Sequence, residues 1–155
     1  MVLVSVTRLR VRSSWYLASF FWRNMRIMRQ VQGTSGFLGG RLLVEAEKVF
    51  WTLTAWEDGS AMNVFRTQGA HGEMMPKLLD WCDEAALVHW NQMTDVLPSW
   101  GEAHYRMMKE GRPSKVRHPS PAQVAYEIPK PRAGRMERVL RPSRQGAESK
   151  ASSRT

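Results

Sequence analysis

Residues 50–71, FWTLTAWEDGSAMNVFRTQGAH, decide the fold, because their hydrophobic period changes partway along the stretch. The first part is rich in β-branched and aromatic residues and predicts a strand. In the second part Asp58 or Ser60 can cap a helix, which carries Phe65 and His71 and is interrupted near Gly69. The stretch therefore predicts a strand, a turn and a helix that brings a histidine towards the sheet.

The rest of the chain supplies elements of the same kind. Hydrophobic periodicity predicts strands at residues 2–12, 37–48, 48–56 and 84–93, and helices at about 15–32, 58–82 and 98–111. Gly39–Gly40 predicts a bulge in the second strand, and Ser99 with Glu102 predicts a capping box on the last helix. The order βαββαβ predicts an α+β, ferredoxin-like domain with a four-stranded antiparallel sheet and an added C-terminal helix.

Both faces of this sheet are predicted to be apolar. On the third strand Phe50 and Trp56 point to one face, and Trp51 and Leu53 point to the other. Helices cover one face only, so the second face needs a partner. The pattern predicts a homodimer in which two sheets pack into a dimeric α+β barrel.

Charge divides the chain into a body and a tail. Residues 1–110 hold twelve Lys/Arg and eleven Asp/Glu, whereas residues 111–155 hold eleven Lys/Arg and three Glu. The tail is rich in Pro, Ser and Arg and poor in large apolar residues, which predicts disorder. It lacks interleaved aromatic residues, so a solvated linker is favoured and nucleic acid is not expected as a partner.

Location is indicated by the cysteine count and the N-terminus. The single cysteine, Cys82, excludes an intramolecular disulfide and favours a reducing, cytoplasmic compartment. The apolar run at residues 15–22 is too short to cross a bilayer and ends at Arg23. The aromatic residues of this run beside Arg26 and Arg29 suit a weak membrane-surface contact; packing of these aromatics on the sheet is the competing interpretation.

One sequence pattern resembles a known family. The segments GFLGGRLL, FWTLTAWED, AMNVFRTQGAH and MPKLLDW, within residues 3–95, are similar to the antibiotic-biosynthesis-monooxygenase superfamily. More narrowly, they resemble a spheroidene-monooxygenase-like bacterial group. The resemblance implies a dimeric α+β barrel and an oxygenase that either needs no cofactor or uses heme. It does not extend to the heme-degrading branch, because Phe65 and Met75 stand where that branch has Trp and His, and the first strand has no Asn.

The resemblance and the residue types together give a set of candidate site residues. The catalytic candidates are His71, Arg8 and Trp51, and the ligand-binding candidates are Arg10, Trp56, Phe65, Met74 and Met75. His71 would be the metal ligand only if heme is bound; no other metal site is expected. No phosphate-binding, flavin, nicotinamide, zinc or serine-triad motif is present.

Each candidate also has a purely structural interpretation. His71 can end a helix, and strand tryptophans are more often core residues. Arg8 and Arg10 can pair with Glu45 or Glu47 on a neighbouring strand. His89 is interpreted as a core histidine.

Two functions follow from these patterns. One is a monooxygenase-like enzyme that acts on an apolar aromatic, polyketide-type or isoprenoid substrate in a pocket between sheet and helices. The other is a non-catalytic, dimeric protein that binds a small ligand or acts as a regulator. The sequence leaves open whether the protein is an enzyme.

Overall fold

The computed structural model describes residues 1–132 and 136–143 of the chain. Within these residues the strands are β1 (Val2–Val11), β2 (Phe37–Val44), β3 (Val49–Trp56), β4 (Cys82–Gln92), β5 (Arg112–Pro113) and β6 (Met136–Leu140). The helices are α1 (Leu17–Gly33), α2 (Gly59–Thr67), α3 (Gly69–Trp81), α4 (Trp100–Glu110) and α5 (Pro121–Ala125).

The described strands form one antiparallel, six-stranded sheet in the order β5-β4-β1-β3-β2-β6. The four central strands have the ferredoxin-like order, and the α+β class predicted from the sequence is confirmed. The prediction of four strands is corrected to six, because the short strands β5 and β6 extend the two edges. At the centre of the sheet Val6 lies opposite Leu53 on one side and Val88 on the other.

Local sequence signals account for where the elements begin and end. Asp58 is the N-cap of α2, and its Oδ1 accepts a hydrogen bond from the Ala61 amide at 2.9 Å. Ser99 caps α4 in the same way, since its Oγ accepts from the Glu102 amide at 3.1 Å. The Asp58 cap and the Ser99 half of the predicted capping box are confirmed, whereas the Glu102 carboxylate accepts from Arg106 Nε. The predicted interruption of the second helix falls at Gln68.

The predicted bulge in the second strand is also confirmed. The pairing of β2 with β3 shifts between Phe37 and Gly39. A Cβ atom on Gly40 would lie 2.5 Å from the Leu53 carbonyl oxygen, so only glycine fits where the two backbones approach this closely.

Helices α1, α2 and α3 cover the face of the sheet that carries Trp56. The core between them is built from apolar residues of both layers, chiefly Val11, Phe20, Ile27, Met28, Val31, Phe37, Phe50, Trp56, Phe65 and Met74. The strand parity predicted for this face is confirmed. Between this layer and the sheet lies the cavity described below.

Helix α4 covers the opposite face, which the sequence predicts to be bare. Its Trp100, Ala103 and Met107 are buried against Trp51 and Val88 of the sheet. Since this chain buries the face itself, the reason for predicting a dimeric barrel is removed. The homodimer stays a prediction without that support.

Residues 111–132 and 136–143 do not belong to the disordered tail that the sequence predicts from residue 111 onward. The Ser114 amide donates to the Ala85 carbonyl at 2.8 Å, and the Ser120 amide donates to the Asp83 carbonyl at 3.0 Å. Strand β6 then pairs with β2. The prediction of disorder is wrong for residues 111–132 and 136–143; residues 133–135 and 144–155 lie outside the described part. Along the described ranges, no helix has the length and apolar character needed to cross a bilayer.

Candidate functional site

A cavity of about 340 Å³ lies between the sheet and the helical layer. Its floor is formed by side chains of the three central strands that point towards the helices: Ser5, Thr7, Leu9, Thr52, Thr54, Trp56, Leu87 and His89. Its roof comes from α1, α2 and α3. The volume falls in the lower part of the range of small-molecule sites, about 300–1,000 Å³. No Asp or Glu is among the described residues that line it.

His71 enters this cavity from the first turn of α3 and is held on both sides. Its backbone amide donates to Gln30 Oε1 at 2.9 Å, and its ring Nδ1 lies 2.9 Å from the Arg66 carbonyl oxygen. Gln30 Nε2 donates in turn to the Phe65 and Gln68 carbonyls at 3.0 and 2.8 Å. Gln30 of α1 therefore fixes the α2–α3 junction that carries the histidine.

Gly69 allows the chain to turn at the α2–α3 junction while the Gln30 side chain lies close to its backbone. Its φ of +57° lies in the left-handed region, and a Cβ there would sit 3.2 Å from the Gln30 side chain. Gly69, two residues before His71, therefore allows the close contact with Gln30 of α1.

The protonation of His71 follows from these contacts. A carbonyl oxygen can only accept, so the neutral ring carries its proton on Nδ1 and leaves the Nε2 lone pair unprotonated. Burial lowers the pKa of His71 below its usual 6.5; the hydrogen bond to the Arg66 carbonyl opposes this shift, and the Arg66 charge adds to it. No described residue hydrogen-bonds to Nε2. The ring is thus a neutral base at pH 7 with one nitrogen available.

Aromatic and thioether side chains surround the histidine. The Phe65 ring lies 4.6 Å from the His71 ring and 5.3 Å from the Trp56 ring, measured between centroids. Trp56 is anchored through Nε1, which donates to Thr54 Oγ1 at 2.9 Å. Met74 is buried, whereas Met75 is partly exposed. The structure thus brings together five of the predicted site residues, His71, Trp56, Phe65, Met74 and Met75, at one cavity.

The rim of the cavity is basic. Arg66 and Lys115 line it and are also exposed to solvent, which places them at its opening. Ser114, Lys115 and Val116 belong to the segment predicted to be a disordered tail, yet they form part of the cavity wall. Their composition alone carries no signal for this position, because backbone pairing along β4 places them there.

His89 is the second histidine of the cavity, although the sequence analysis did not include it among the candidate site residues. It lies on β4 directly opposite Ser5 of β1. Burial lowers the pKa of His89 below 6.5, and the charges of Arg112 and Arg66 lower it further. Its ring has no hydrogen-bond partner among the described residues, so the satisfied core histidine expected from the sequence is not what the structure shows. The sequence did carry one signal for this position, since His89 has the same strand parity as Leu87, which also lines the cavity.

Trp51 does not line this cavity. It is fully buried on the opposite face of the sheet, where its ring packs edge-on against Trp100 with centroids 6.4 Å apart. Its Nε1 donates to Glu45 Oε2 at 2.8 Å. The prediction that Trp51 lines the same pocket as His71 is wrong, because Trp51 has the strand parity of Leu53 and not of Trp56.

Arg8 and Arg10 also lie on the opposite face, and their partner is Glu84 of β4. Arg8 Nη1 donates to Glu84 Oε2 at 2.6 Å, and Arg10 Nη1 donates to Oε1 at 3.0 Å. Ser120 Oγ adds a third bond to this carboxylate at 2.9 Å. A second cavity, of about 590 Å³, lies beside these groups. Although it is larger, we place the site at His71, because Arg8, Arg10 and Glu84 beside the second cavity already form ion pairs with one another.

The thiol of Cys82 is not a further candidate. It is fully buried at the start of β4. Burial and the charge of neighbouring Asp83 raise its pKa from 9.0 to about 12. It is therefore a packing residue, as its sequence context predicts.

Heme stays an untested prediction for this cavity. Nε2 of His71 is the nitrogen that would serve as an axial ligand. Among the described residues, no group of His, Cys, Asp or Glu has the arrangement of a metal site. We therefore assign no step to a heme.

Solved structures with a similar fold include three informative ones. SnoaB, a cofactor-independent oxygenase from Streptomyces nogalater, aligns with a TM-score of 0.51 at 18% identity over 63% of this chain and 98% of its own. A conserved protein from Methanosarcina mazei gives 0.53 at 14% identity, over 60% of this chain and 94% of its own. An antibiotic biosynthesis monooxygenase gives 0.53 at 10% identity, over 59% and 99%.

The chain shares the fold of these proteins. At such identities the likeness shows the fold alone, since one fold hosts many chemistries. No family model matches the sequence, and no curated protein matches it. The narrower resemblance to a spheroidene-monooxygenase-like group stays a prediction.

Proposed function

We propose that the protein is a cofactor-independent monooxygenase that oxidises a small polycyclic phenol of the polyketide type. The observation that carries the proposal is the neutral His71 ring, whose Nδ1 is fixed by the Arg66 carbonyl and whose Nε2 is left available in an apolar cavity. A base of this kind can remove a proton from a substrate that itself activates dioxygen. The fold shared with SnoaB supports the reaction class.

In this reaction His71 Nε2 takes a proton from the methylene or hydroxyl group of the substrate, and the resulting carbanion or phenolate supplies the electrons. A methylene flanked by aromatic rings and one O₂ give a carbonyl and one water, so no external reductant is needed. The apolar walls exclude bulk water and keep the substrate anion reactive. His71 is returned to its neutral form when the proton leaves with water.

The charges around the cavity suit a substrate that becomes an anion. Arg66 and Lys115 at the opening are the charged residues of the lining, and no described lining residue is acidic. A phenolate is therefore stabilised by the positive potential of the rim. Trp56 and Phe65 offer flat faces for stacking on an aromatic ring system.

The test is oxygen consumption with a polycyclic phenol or quinol, compared between the wild type and His71→Ala. We expect the rate to fall about 10²–10⁴-fold, the usual contribution of a general base, with ligand binding retained. Binding is followed by quenching of tryptophan fluorescence, because Trp56 lines the cavity. The matched control is His118→Ala, which removes an exposed histidine that does not line the cavity. Equal rates for the wild type and His71→Ala would reject the proposal.

A non-catalytic ligand-binding protein is the second candidate, and one observation favours it. Neither His71 nor His89 hydrogen-bonds to a carboxylate within the described part of the chain, so neither ring has the acidic partner that often orients a catalytic base. This function predicts fluorescence quenching by the phenol without oxygen consumption. The two assays together separate the candidates.

A further inference from the structure

The outer face of α1 carries an exposed cluster of aromatic residues. Trp22 is 72% exposed, and Trp15, just before the helix, is 87% exposed. Phe21 and Met25 are also substantially exposed. Large aromatic side chains seldom remain this exposed without a binding partner. The competing interpretation, in which most of the aromatics of this run pack on the sheet, holds for the buried Phe20 and in part for Phe21, whose ring lies 5.5 Å from the Phe50 ring, but not for Trp15 and Trp22.

Arginines surround this cluster. Trp22, Met25, Arg26 and Arg29 have the spacing i, i+3, i+4 and i+7, which places them on one face of the helix. Arg138 of β6 joins them, since its Nη1 lies 3.8 Å from Met25 Sδ.

These cations are little neutralised by the protein. Arg26 lies 3.6 Å from Glu73, but both side chains are about half exposed, so the pair contributes little. Arg29 has no ion pair within the described residues. The face is therefore apolar at its centre and positive around it.

This combination has the chemistry of a membrane interface. Tryptophan is favoured at the level of the lipid headgroups, and arginine is attracted to anionic lipid. A nucleic-acid surface would share the arginines, but it would not account for the exposure of Trp15, Trp22 and Met25 beside them. Helix α1 has 17 residues and a buried opposite face, so it can lie on a bilayer but not cross it.

We propose that the outer face of α1, centred on Trp15, Trp22, Arg26 and Arg29, docks the protein on the surface of an anionic phospholipid membrane. The inner face of the same helix lines the cavity through Asn24, Ile27 and Met28. Docking would therefore place the cavity close to a bilayer in which apolar molecules dissolve. The docking does not depend on the proposed reaction and is measured without it.

The test is co-sedimentation of the full chain with vesicles of phosphatidylcholine alone and with vesicles that also contain phosphatidylglycerol, at low ionic strength. We expect binding to the anionic vesicles, weakened by added salt, with a blue shift of tryptophan emission. Arg26→Gln/Arg29→Gln should weaken the partition coefficient about 25-fold, from about fivefold for each arginine near the surface. Trp15→Ala/Trp22→Ala should remove the blue shift and lower the partition coefficient.

Matched controls come from the other side of the sheet. Lys109→Gln/Lys130→Gln removes two exposed positive charges, and Tyr105→Ala removes an exposed aromatic ring. Both should bind vesicles like the wild type. All substituted residues are exposed, and circular dichroism checks that the variants are folded.

Three outcomes would overturn the proposal. The first is no sedimentation with anionic vesicles at low salt. The second is equal weakening by the control substitutions, which would indicate an effect of net charge alone. The third is tighter binding to a DNA oligonucleotide than to the vesicles, with the tryptophan variant unaffected, which would assign the face to nucleic acid.

Discussion

Replacing Glu84 by glutamine tests whether Arg8 and Arg10 serve the fold or a ligand. The Glu84 side chain is 4% exposed and the Arg8 side chain 7%, so their ion pair is buried. Glutamine keeps the shape but loses the charge, and its NH₂ group cannot accept from a guanidinium. Arg8 would then be a buried cation without a counter-charge.

The cost follows from the bonds that are lost. Removing one partner of a buried ion pair typically costs about 3–5 kcal/mol, because the other charge is left uncompensated. The contribution of Arg10 is smaller, since its side chain is 35% exposed and screened by solvent. We therefore expect Glu84→Gln to lower the free energy of unfolding by about 3–5 kcal/mol at pH 7. Urea denaturation followed by tryptophan fluorescence measures it.

Acid gives this prediction a second readout. Burial acts to raise the pKa of Glu84, but hydrogen bonds from Arg8 and Ser120 and the charges of Arg8 and Arg10 outweigh it, so the pKa lies below 4.5. A depressed carboxyl pKa gives stability that is present above 4.5 and is lost as pH falls through the folded-state pKa. The gap between wild type and variant should therefore shrink in that acidic range.

Glu102→Gln is the matched control, because its partner Arg106 and Glu102 itself are both partly exposed. It should cost about 1 kcal/mol or less. If Glu84→Gln costs no more than this control, or if its cost is unchanged in acid, the buried network does not hold the fold, and Arg8 returns as a candidate ligand-binding residue.

Three further predictions follow from the described contacts. Met107→Ala should lower the free energy of unfolding, measured in urea, by about 2–5 kcal/mol, because the side chain is fully buried against the sheet. The exposed Met108 is the control, and Met108→Ala should change this free energy little. If α4 alone covers this face, the wild-type Tm should not depend on protein concentration. The pKa of His71 in the folded state lies below 6.5, so as pH falls the unfolded chain binds the proton before the folded chain does. The stability of the wild type should therefore fall as pH drops from 6.5. His71→Gln should reduce this fall, whereas His118→Gln should not. With its pKa raised to about 12, Cys82 should react with iodoacetamide in urea but not in the native protein at pH 8, and rapid native labelling would contradict its burial.

The parts of the fold that depend on local pattern could be predicted. Period-2 alternation correctly separated Phe50 and Trp56 from Trp51 and Leu53 on opposite faces, and the capping side chains of Asp58 and Ser99 marked helix starts correctly. The cluster around His71 could also be anticipated, since Phe65, His71 and Met74 lie on neighbouring turns of the two consecutive helices.

Long-range contacts could not be predicted in the same way. Arg8 and Glu84 are 76 residues apart, and only the pairing of β1 with β4 brings them together. Gln30 likewise reaches a histidine 41 residues away. Placing Trp51 beside His71 failed because residue type was weighed above strand parity.

The error at residue 111 has a different physical origin. Composition measures how much apolar surface a segment can bury, and by that measure the segment should not fold. The described part of it is ordered by other means, because the edges of the sheet offer unpaired backbone groups that β5 and β6 satisfy. Side-chain bonds add to this, as when Gln123 Nε2 donates to the Ala85 carbonyl at 3.0 Å. A polar segment can therefore dock when a folded sheet already presents the donors and acceptors.

The chain beyond β4 also changes how the sheet of the shared fold is covered. The solved structures align with about three fifths of this chain while almost all of their own length is covered, so this chain has material that they lack. Here the chain beyond β4 covers the second face through Trp100 and Met107, pairs both outer edges, and adds Lys115 to the cavity rim. The face that the sequence predicts to pack on a second sheet is thus buried by α4 of the same chain, and one chain supplies the described residues that line the cavity.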